Sequence, residues 1–433
     1  MKLDKHTSGS GATMLILLCW IIYTASYVGK LNYAANINLI MEYYSVSHAE
    51  AGLVSTTFFF SYGIGQVVNG IFCKKYNVKW AVAIGIFMAT LSNLLIGTVN
   101  SFELIAPMWL VNGAALSLLW PSLIRLLSEC LGYKDMARAS VIMGTTTAIG
   151  TFIIYGSSAA LALVTDFRAS FMVAATVLLA TLVLWLSTVD KFSQRVKAET
   201  AAEERAARAS GAATGGSTAG KRVIWLTVVM LAICGITTNF VKDGLTTWVP
   251  SILKEKYMLG DALSILLTLA LPVVTLFGNA FAVKVHKIIP DFLYQCALMF
   301  TVSGAIIGAI IALIDGEGFV LPLIFFAAVC FLVGANNSLI TSIFPLFMKG
   351  KINSGAIAGV LNGFCYVGST VSSYTLGLIA DHSGWTGVFV LLLATALTTA
   401  LLAPVHLLLK RRLARLDLAD AGTPDDNSEN KDV

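Results

Sequence analysis

This sequence predicts an all-α membrane protein of twelve transmembrane helices in two six-helix bundles, on three observations. Only 12% of its residues are charged and 57% are hydrophobic, where a soluble domain carries about 25% charged residues. The apolar residues gather into twelve runs, roughly 13–41, 49–73, 78–99, 104–131, 136–165, 169–189, 222–253, 261–285, 290–314, 318–348, 353–380 and 386–409. These lengths match the ~20 residues that a helix needs to cross a bilayer core. The longest polar segment, 190–221, falls between the sixth and seventh runs and divides the chain. Continuous apolar runs of this kind satisfy their backbone polar groups as helices and not as strands.

In chain order, span one ends in Tyr27-Val-Gly-Lys-Leu-Asn-Tyr33, with Tyr23, Tyr27 and Lys30 spaced by four and three and so on one helical face. Span two carries Phe60-Ser-Tyr-Gly and Gln66, and leads into the basic stretch Gly70-Ile-Phe-Cys-Lys-Lys-Tyr-Asn-Val-Lys79. Span four holds Asn112-Gly-Ala-Ala-Leu-Ser-Leu and Trp120-Pro-x-x-x-Arg125, and span five holds Gly144-Thr-Thr-Thr147. The Ala-, Gly-, Ser- and Thr-rich segment 190–221 reads as a flexible, part-helical linker. The expected organisation is therefore a first bundle at 1–189, a linker at 190–221, a second bundle at 222–409 and a tail at 410–433.

Span seven ends in Asn239-Phe-Val-Lys-Asp-Gly-Leu-Thr-Thr-Trp-Val-Pro250, placing Lys242 where span one places Lys30. Span ten echoes span four with Val333-Gly-Ala-Asn-Asn-Ser-Leu, and spans five and eleven both end in Asp before an aromatic residue. Paired halves with a binding site between them near the bilayer midplane are a known carrier plan. Glycine and proline clusters such as Gly144/Gly150, Gly359/Gly363/Gly368, Pro121 and Pro345 serve close helix packing and bending.

Basic residues orient the chain. With both termini cytoplasmic, the external loops hold only Arg168, Lys254 and Lys256, and the other Lys and Arg outside the spans fall on internal ends and loops. That bias is the positive-inside rule, and a plasma (inner) membrane location follows. It also accounts for the net charge of +5 without nucleic acid as a partner. The seven cysteines are scattered without CxxC spacing and read as buried hydrophobes, neither disulfides nor metal ligands. No small-residue cleavage site follows the first run, so a signal peptide is not expected. With no nucleophile–base pair, metal cluster or nucleotide loop, neither an enzyme, a cofactor nor ATP-driven transport is expected. The lipid bilayer is the expected surrounding and a monomer the expected state.

A lysine inside a span costs at least about 2.5–3.5 kcal/mol, so it faces a partner or an aqueous cavity, or else snorkels outward along its butyl stem. Lys242 lies about 28 Å along the helix from Val223. Matched cations in both halves point to a site for a small organic anion. Asp243 sits about 100° round the helix from Lys242, so the two are expected to face differently. It is read as the partner of another helix's cation, as a solvated helix-end residue, or as a proton carrier if burial raises its pKa. Glu42, Glu50, Asp261 and Asp381 lie at span ends. No acid stands where a cation exporter would hold its cargo, which disfavours drug-cation efflux.

The motifs of spans one, two, four, seven and eleven resemble the major facilitator superfamily, and within it the organophosphate:phosphate antiporters, whose members include a bacterial glycerol-3-phosphate transporter. The resemblance runs nearly end to end and is carried most specifically by Lys242-Asp-Gly-Leu-Thr-Thr-Trp-Val-Pro and by Gly359…Gly363-Phe-Cys-Tyr-Val-Gly368. It implies a twelve-helix, pseudo-symmetric fold and exchange of a phosphate ester for inorganic phosphate by alternating access. It implies Lys30 and Lys242 at positions where the family has arginines, which keeps the charge but loses the bidentate fork. Tyr62 and Tyr366 match pore-lining tyrosines. Gln66 stands for a family lysine, Thr146 for a family histidine and Lys74 for the aspartate of the span-two–three signature. With Tyr23 and Tyr27, these residues make the expected substrate site. Proton-coupled symport of a sugar acid, with Asp243 as proton site, is the alternative, and a non-transporting substrate sensor is the alternative of another class.

Overall fold

The computed structural model describes residues 10–72, 75–131, 133–207, 219–316, 318–348 and 354–409. Among them are ten helices long and apolar enough to cross a membrane, and the bent pair Asp261–Thr275 and Ala280–Ile288 adds an eleventh. The last of the ten, Ile357–Leu409, has 53 residues, about 80 Å at 1.5 Å per residue. A bilayer core is about 30 Å thick, so this helix crosses twice. It breaks at Gly384, whose φ of +66° is open only to a residue without Cβ. Twelve spans result.

Span one is Ser10–Ala35, prolonged by the short helix Ile37–Tyr44. Span two is His48–Phe72, and span three is Val78–Ile96, whose first turn is capped by Asn77 accepting from the Lys79 N–H. Span four is broken between Leu116 and Leu119, just before Pro121, and span five at Thr145. Asp291 caps span nine by accepting from the N–H groups of Leu293 and Tyr294. Span ten passes through a π turn at Leu339–Ile343 immediately before Pro345, the residue whose missing N–H and ring demand such a bend.

Helix enters the segment 190–221 from both sides. Span six continues as helix from Phe167 to Ala207, and span seven runs as helix from Ala219 to Tyr257. Residues 191–207 are rich in Ala and Glu, with Lys and Arg among them, and these strong helix formers extend the helix past the apolar run. Residues 208–218 and the tail 410–433 lie outside the described residues, as do Lys74 and Cys73. The other six cysteines are buried.

Each half is tied internally by buried amides and hydroxyls. In the first half, Asn32 donates to Asn93 at 2.6 Å, and Asn112 donates to the Gly29 carbonyl at 2.8 Å. These bonds join span one to spans three and four. In the second half, Thr237 of span seven meets Thr399 of span twelve at 2.8 Å. Close approach does the rest: a Cβ on Gly368 of span eleven would lie 1.9 Å from the Ile236 carbonyl oxygen of span seven. Of the glycines expected to pack helices, Gly150, Gly363 and Gly368 do, whereas Gly144 and Gly359 face open space.

The halves meet along span two against span eleven and at the end of the molecule away from the termini. There a Cβ on Gly377 would lie 2.4 Å from the His48 carbonyl oxygen. Asn38 accepts from Ser251 at 2.6 Å, and Lys254 of span seven bridges Glu42 at 2.8 Å and Asp261 at 2.9 Å. The hydrogen bond from Lys254 holds the Glu42 carboxyl below its usual range. His48 lies between two carboxylates, Glu255 and Asp381, each 2.7 Å from a ring nitrogen, and Asp381 also accepts from the His48 and Ala49 N–H groups. Trp385 donates to the other Glu255 oxygen at 2.9 Å. Glu42, Glu255 and Asp381 thus form a seal between halves. At the terminal end, Lys79 pairs with Asp190 at 2.5 Å, and Arg125 of the Trp-Pro motif bonds Glu129 and the Tyr76 carbonyl. These contacts lie within the first half.

Candidate anion site

Span one carries Tyr27 and Lys30 one turn apart, and span seven carries Lys242 with Thr246 one turn on. Both spans face the seam, and the two lysines line one cavity of about 900 Å³, part of it open to solvent. Lys30 ends among rings and Lys242 beside Asp243, both on the cavity wall.

Lys30 sits in a box of rings. Its Nζ lies 4.2 Å from the ring centre of Tyr62, 5.1 Å from Tyr366, 5.4 Å from Tyr27 and 5.8 Å from Phe58. It also donates to the Tyr366 hydroxyl at 3.5 Å. Ring faces are electron-rich, and each such contact is worth about 0.5–2 kcal/mol depending on desolvation. The box offsets the lysine's loss of water without cancelling its charge. Tyr62 and Tyr366 meet edge to face at 4.8 Å, so the box closes across the seam.

Lys242 keeps different company. Its Nζ is 3.3 Å from Asp243 Oδ1, so the expectation that the two neighbours face apart is wrong. Cβ directions 100° apart bracket the same cavity wall, and the four-carbon lysine stem swings across the gap. The other Asp243 oxygen accepts from Ser369 of span eleven at 2.5 Å, and Ser369 accepts from Asn239 at 3.2 Å.

The expected site residues divide. Tyr27, Lys30, Lys242, Asp243 and Tyr366 line the cavity. Tyr62 touches it through Lys30. Tyr23 is buried against Trp120, ring centres 4.7 Å apart. Gln66 is buried and donates to the Ser117 carbonyl at 3.4 Å, while Thr146 is buried and donates to the Met143 carbonyl. None of these three is on the cavity wall. Thr147 and Thr151 are, with Phe58, Trp109 and Thr246, which sequence reasoning missed. Two of them carried a usable signal: Phe58 stands one turn before Tyr62 and Thr246 one turn after Lys242.

The chain matches relatives at low identity over most of its length. It is 22% identical to the membrane sensor protein UhpC of Escherichia coli over 406 residues, 90% of this chain and 91% of that protein. It is 23% identical to a probable hexose phosphate transport protein of Chlamydia pneumoniae, covering 82% of each, and 22% identical to sugar phosphate exchanger 3 of Bos taurus, covering 84% and 82%. The fold resembles the xylose transporter XylE of E. coli in a partially occluded inward-open conformation, with a TM-score of 0.69 at 11% identity over 91% of this chain and 97% of that one. It also resembles an inward-facing bacterial homologue of the lysosomal transporter Spinster, with a TM-score of 0.71 at 14% identity over 96% and 100%. Residues 16–373 match the Major Facilitator Superfamily, and the chain belongs to that family.

Proposed function

We propose that this chain is a secondary carrier of small organic anions that exchanges a phosphate ester for inorganic phosphate by alternating access. One observation carries the reading: a lysine from the first span of each half reaches a single cavity at the seam between the halves. Two cations in a partly dry cavity attract an anion far more strongly than in water, since the effective dielectric is lower. Relatives named for hexose phosphate transport and sugar phosphate exchange support the phosphate ester as cargo. Lys30, Lys242, Tyr27, Tyr62 and Tyr366 are the proposed contacts. The basic terminal end is assigned to the cytoplasm of a plasma membrane, so the sealed end with His48 is external. The carrier works as a monomer, its first bundle at 1–189 rocking against the second at 222–409, and does no enzymatic chemistry.

A second reading has an observation of its own. The UhpC relative is named a membrane sensor, and a sensor would bind the same anions without moving them. Proteoliposomes loaded with labelled inorganic phosphate separate the readings. Release on adding an external hexose phosphate, lost in Lys30→Ala and Lys242→Ala, is the expected result. Hexose phosphate binding with no release would instead make the chain a sensor. Gluconate uptake driven by a pH gradient, with no phosphate exchange, would make it a symporter.

A further inference from the structure

The cavity carries its own anion. Among the described residues on its wall, the charged groups are Lys30, Lys242 and Asp243. The carboxylate is held from two sides, by Lys242 at 3.3 Å and by the Ser369 hydroxyl at 2.5 Å. Ser369 is itself buried and takes a further hydrogen bond from Asn239. This fixes the carboxylate within the second half. With both lysines charged, the wall sums to one positive charge rather than two.

We infer that Asp243 is the specificity-determining residue of this carrier, setting the cavity to take its cargo as a single negative charge. The inference rests on the anion-carrier reading above. A singly charged cargo neutralises the wall, whereas a doubly charged one leaves a surplus negative charge facing Asp243. In a cavity of low effective dielectric such a surplus is costly. Phosphate esters carry between one and two charges near neutral pH because their second ionisation falls there. The form selected is then the monoanion, and a sugar-acid monoanion fits the same electrostatics. Lys30 has neutral rings as its nearest neighbours and feels the Asp243 carboxylate only across the cavity. Asp243 decides how much of the total attraction remains.

The test is equilibrium binding of two probes to the purified full chain at about pH 5.5 and about pH 8. Inorganic phosphate passes from mainly singly to mainly doubly charged between them, whereas gluconate stays singly charged and reports titration of the protein itself. In the wild type, phosphate affinity relative to gluconate should fall severalfold as pH rises, following the loss of the singly charged form. Asp243→Asn should flatten or reverse that dependence, and Asp243→Glu, which keeps the charge, should preserve it. Wild-type phosphate binding that strengthens with pH, or an Asp243→Asn slope equal to wild type, would overturn the inference while leaving the carrier reading standing. Gluconate binding without phosphate binding at either pH would sink phosphate exchange and keep single-charge selection. Binding of neither probe would sink both.

Discussion

The two halves bring a lysine to the same place and treat it in opposite ways. Lys30 is boxed by Tyr27, Phe58 and Tyr62 of its own half and by Tyr366 of the other. Lys242 is held by Asp243 and, through it, by Ser369, all within the second half. A ring box leaves a cation's charge intact, while a carboxylate cancels most of it at short range. One half therefore offers an anion a free charge and the other offers a charge already engaged. The pseudo-repeat seen in the spans is a repeat of placement and not of chemistry.

Removing each partner should expose that asymmetry. Lys242→Ala strands the Asp243 carboxylate in a partly buried site, with side-chain exposures of 27% and 15% for the pair. The cost is expected at about 2 kcal/mol, below the 3–5 kcal/mol of a dry pair, and shows as a lowered thermal midpoint in detergent. The double change Lys242→Ala/Asp243→Ala should recover most of that stability and none of the anion binding. A double variant no more stable than the single one would mean the pair is not an electrostatic unit.

The ring box makes a smaller demand. Tyr62→Phe keeps the face over Lys30 and should bind anions within about twofold of wild type, whereas Tyr62→Ala should weaken binding about tenfold. Equal losses in both would show that the hydroxyl, not the ring, matters. Tyr366→Phe removes only a long 3.5 Å hydrogen bond and should cost about 0.5 kcal/mol.

At the sealed end, His48 faces a carboxylate oxygen from each ring nitrogen, and both bonds have a donor only when the imidazole is protonated. Raising pH, or His48→Gln, should loosen this end. Alkylation of a cysteine placed at Thr56, which donates across the seam to Thr370, should then rise about threefold in rate, a modest effect because the seal has other contacts. No change with pH would remove the proton from the seal. The smallest effect is expected at Glu42. Its folded pKa is lowered, so its contribution is present above the ordinary carboxylate pKa and is lost as pH falls through the folded value. The Glu42–Lys254 pair is exposed on the Glu42 side, and Glu42→Gln should change stability by less than about 0.5 kcal/mol in a thermal melt.

How much of this was legible follows from physics. The spans were, because lipid imposes length and apolarity on each one separately. Lys30 and Lys242 were, because a charge in an apolar run stands out against its neighbours. Phe58 was only in part: its place one turn before Tyr62 marks the face, but nothing in the letters separates the ring over Lys30 from Phe59, which also lines the cavity, or from the exposed Phe60. The Lys242–Asp243 pair was misread because wheel arithmetic treats side chains as spokes and ignores the reach of a lysine stem. Thr146 was misplaced by one residue, since at 100° per residue a neighbour points elsewhere, and Thr147 is the one on the wall. The His48–Asp381 contact joins positions 333 apart in the chain, a distance over which local pattern carries no information.

Gly368 turns the difference between the lysines into mechanics. Only a hydrogen stands where a side chain would strike the Ile236 carbonyl, so spans seven and eleven lie nearly backbone on backbone. Two rods in such contact turn as one plate. In the rocking proposed above, Lys242, Asp243 and Ser369 would keep their mutual distances, whereas Tyr366, riding the same plate, would be drawn off Lys30 at every stroke. The absent side chain thus decides which lysine keeps its neighbours through a turnover and which must find them again.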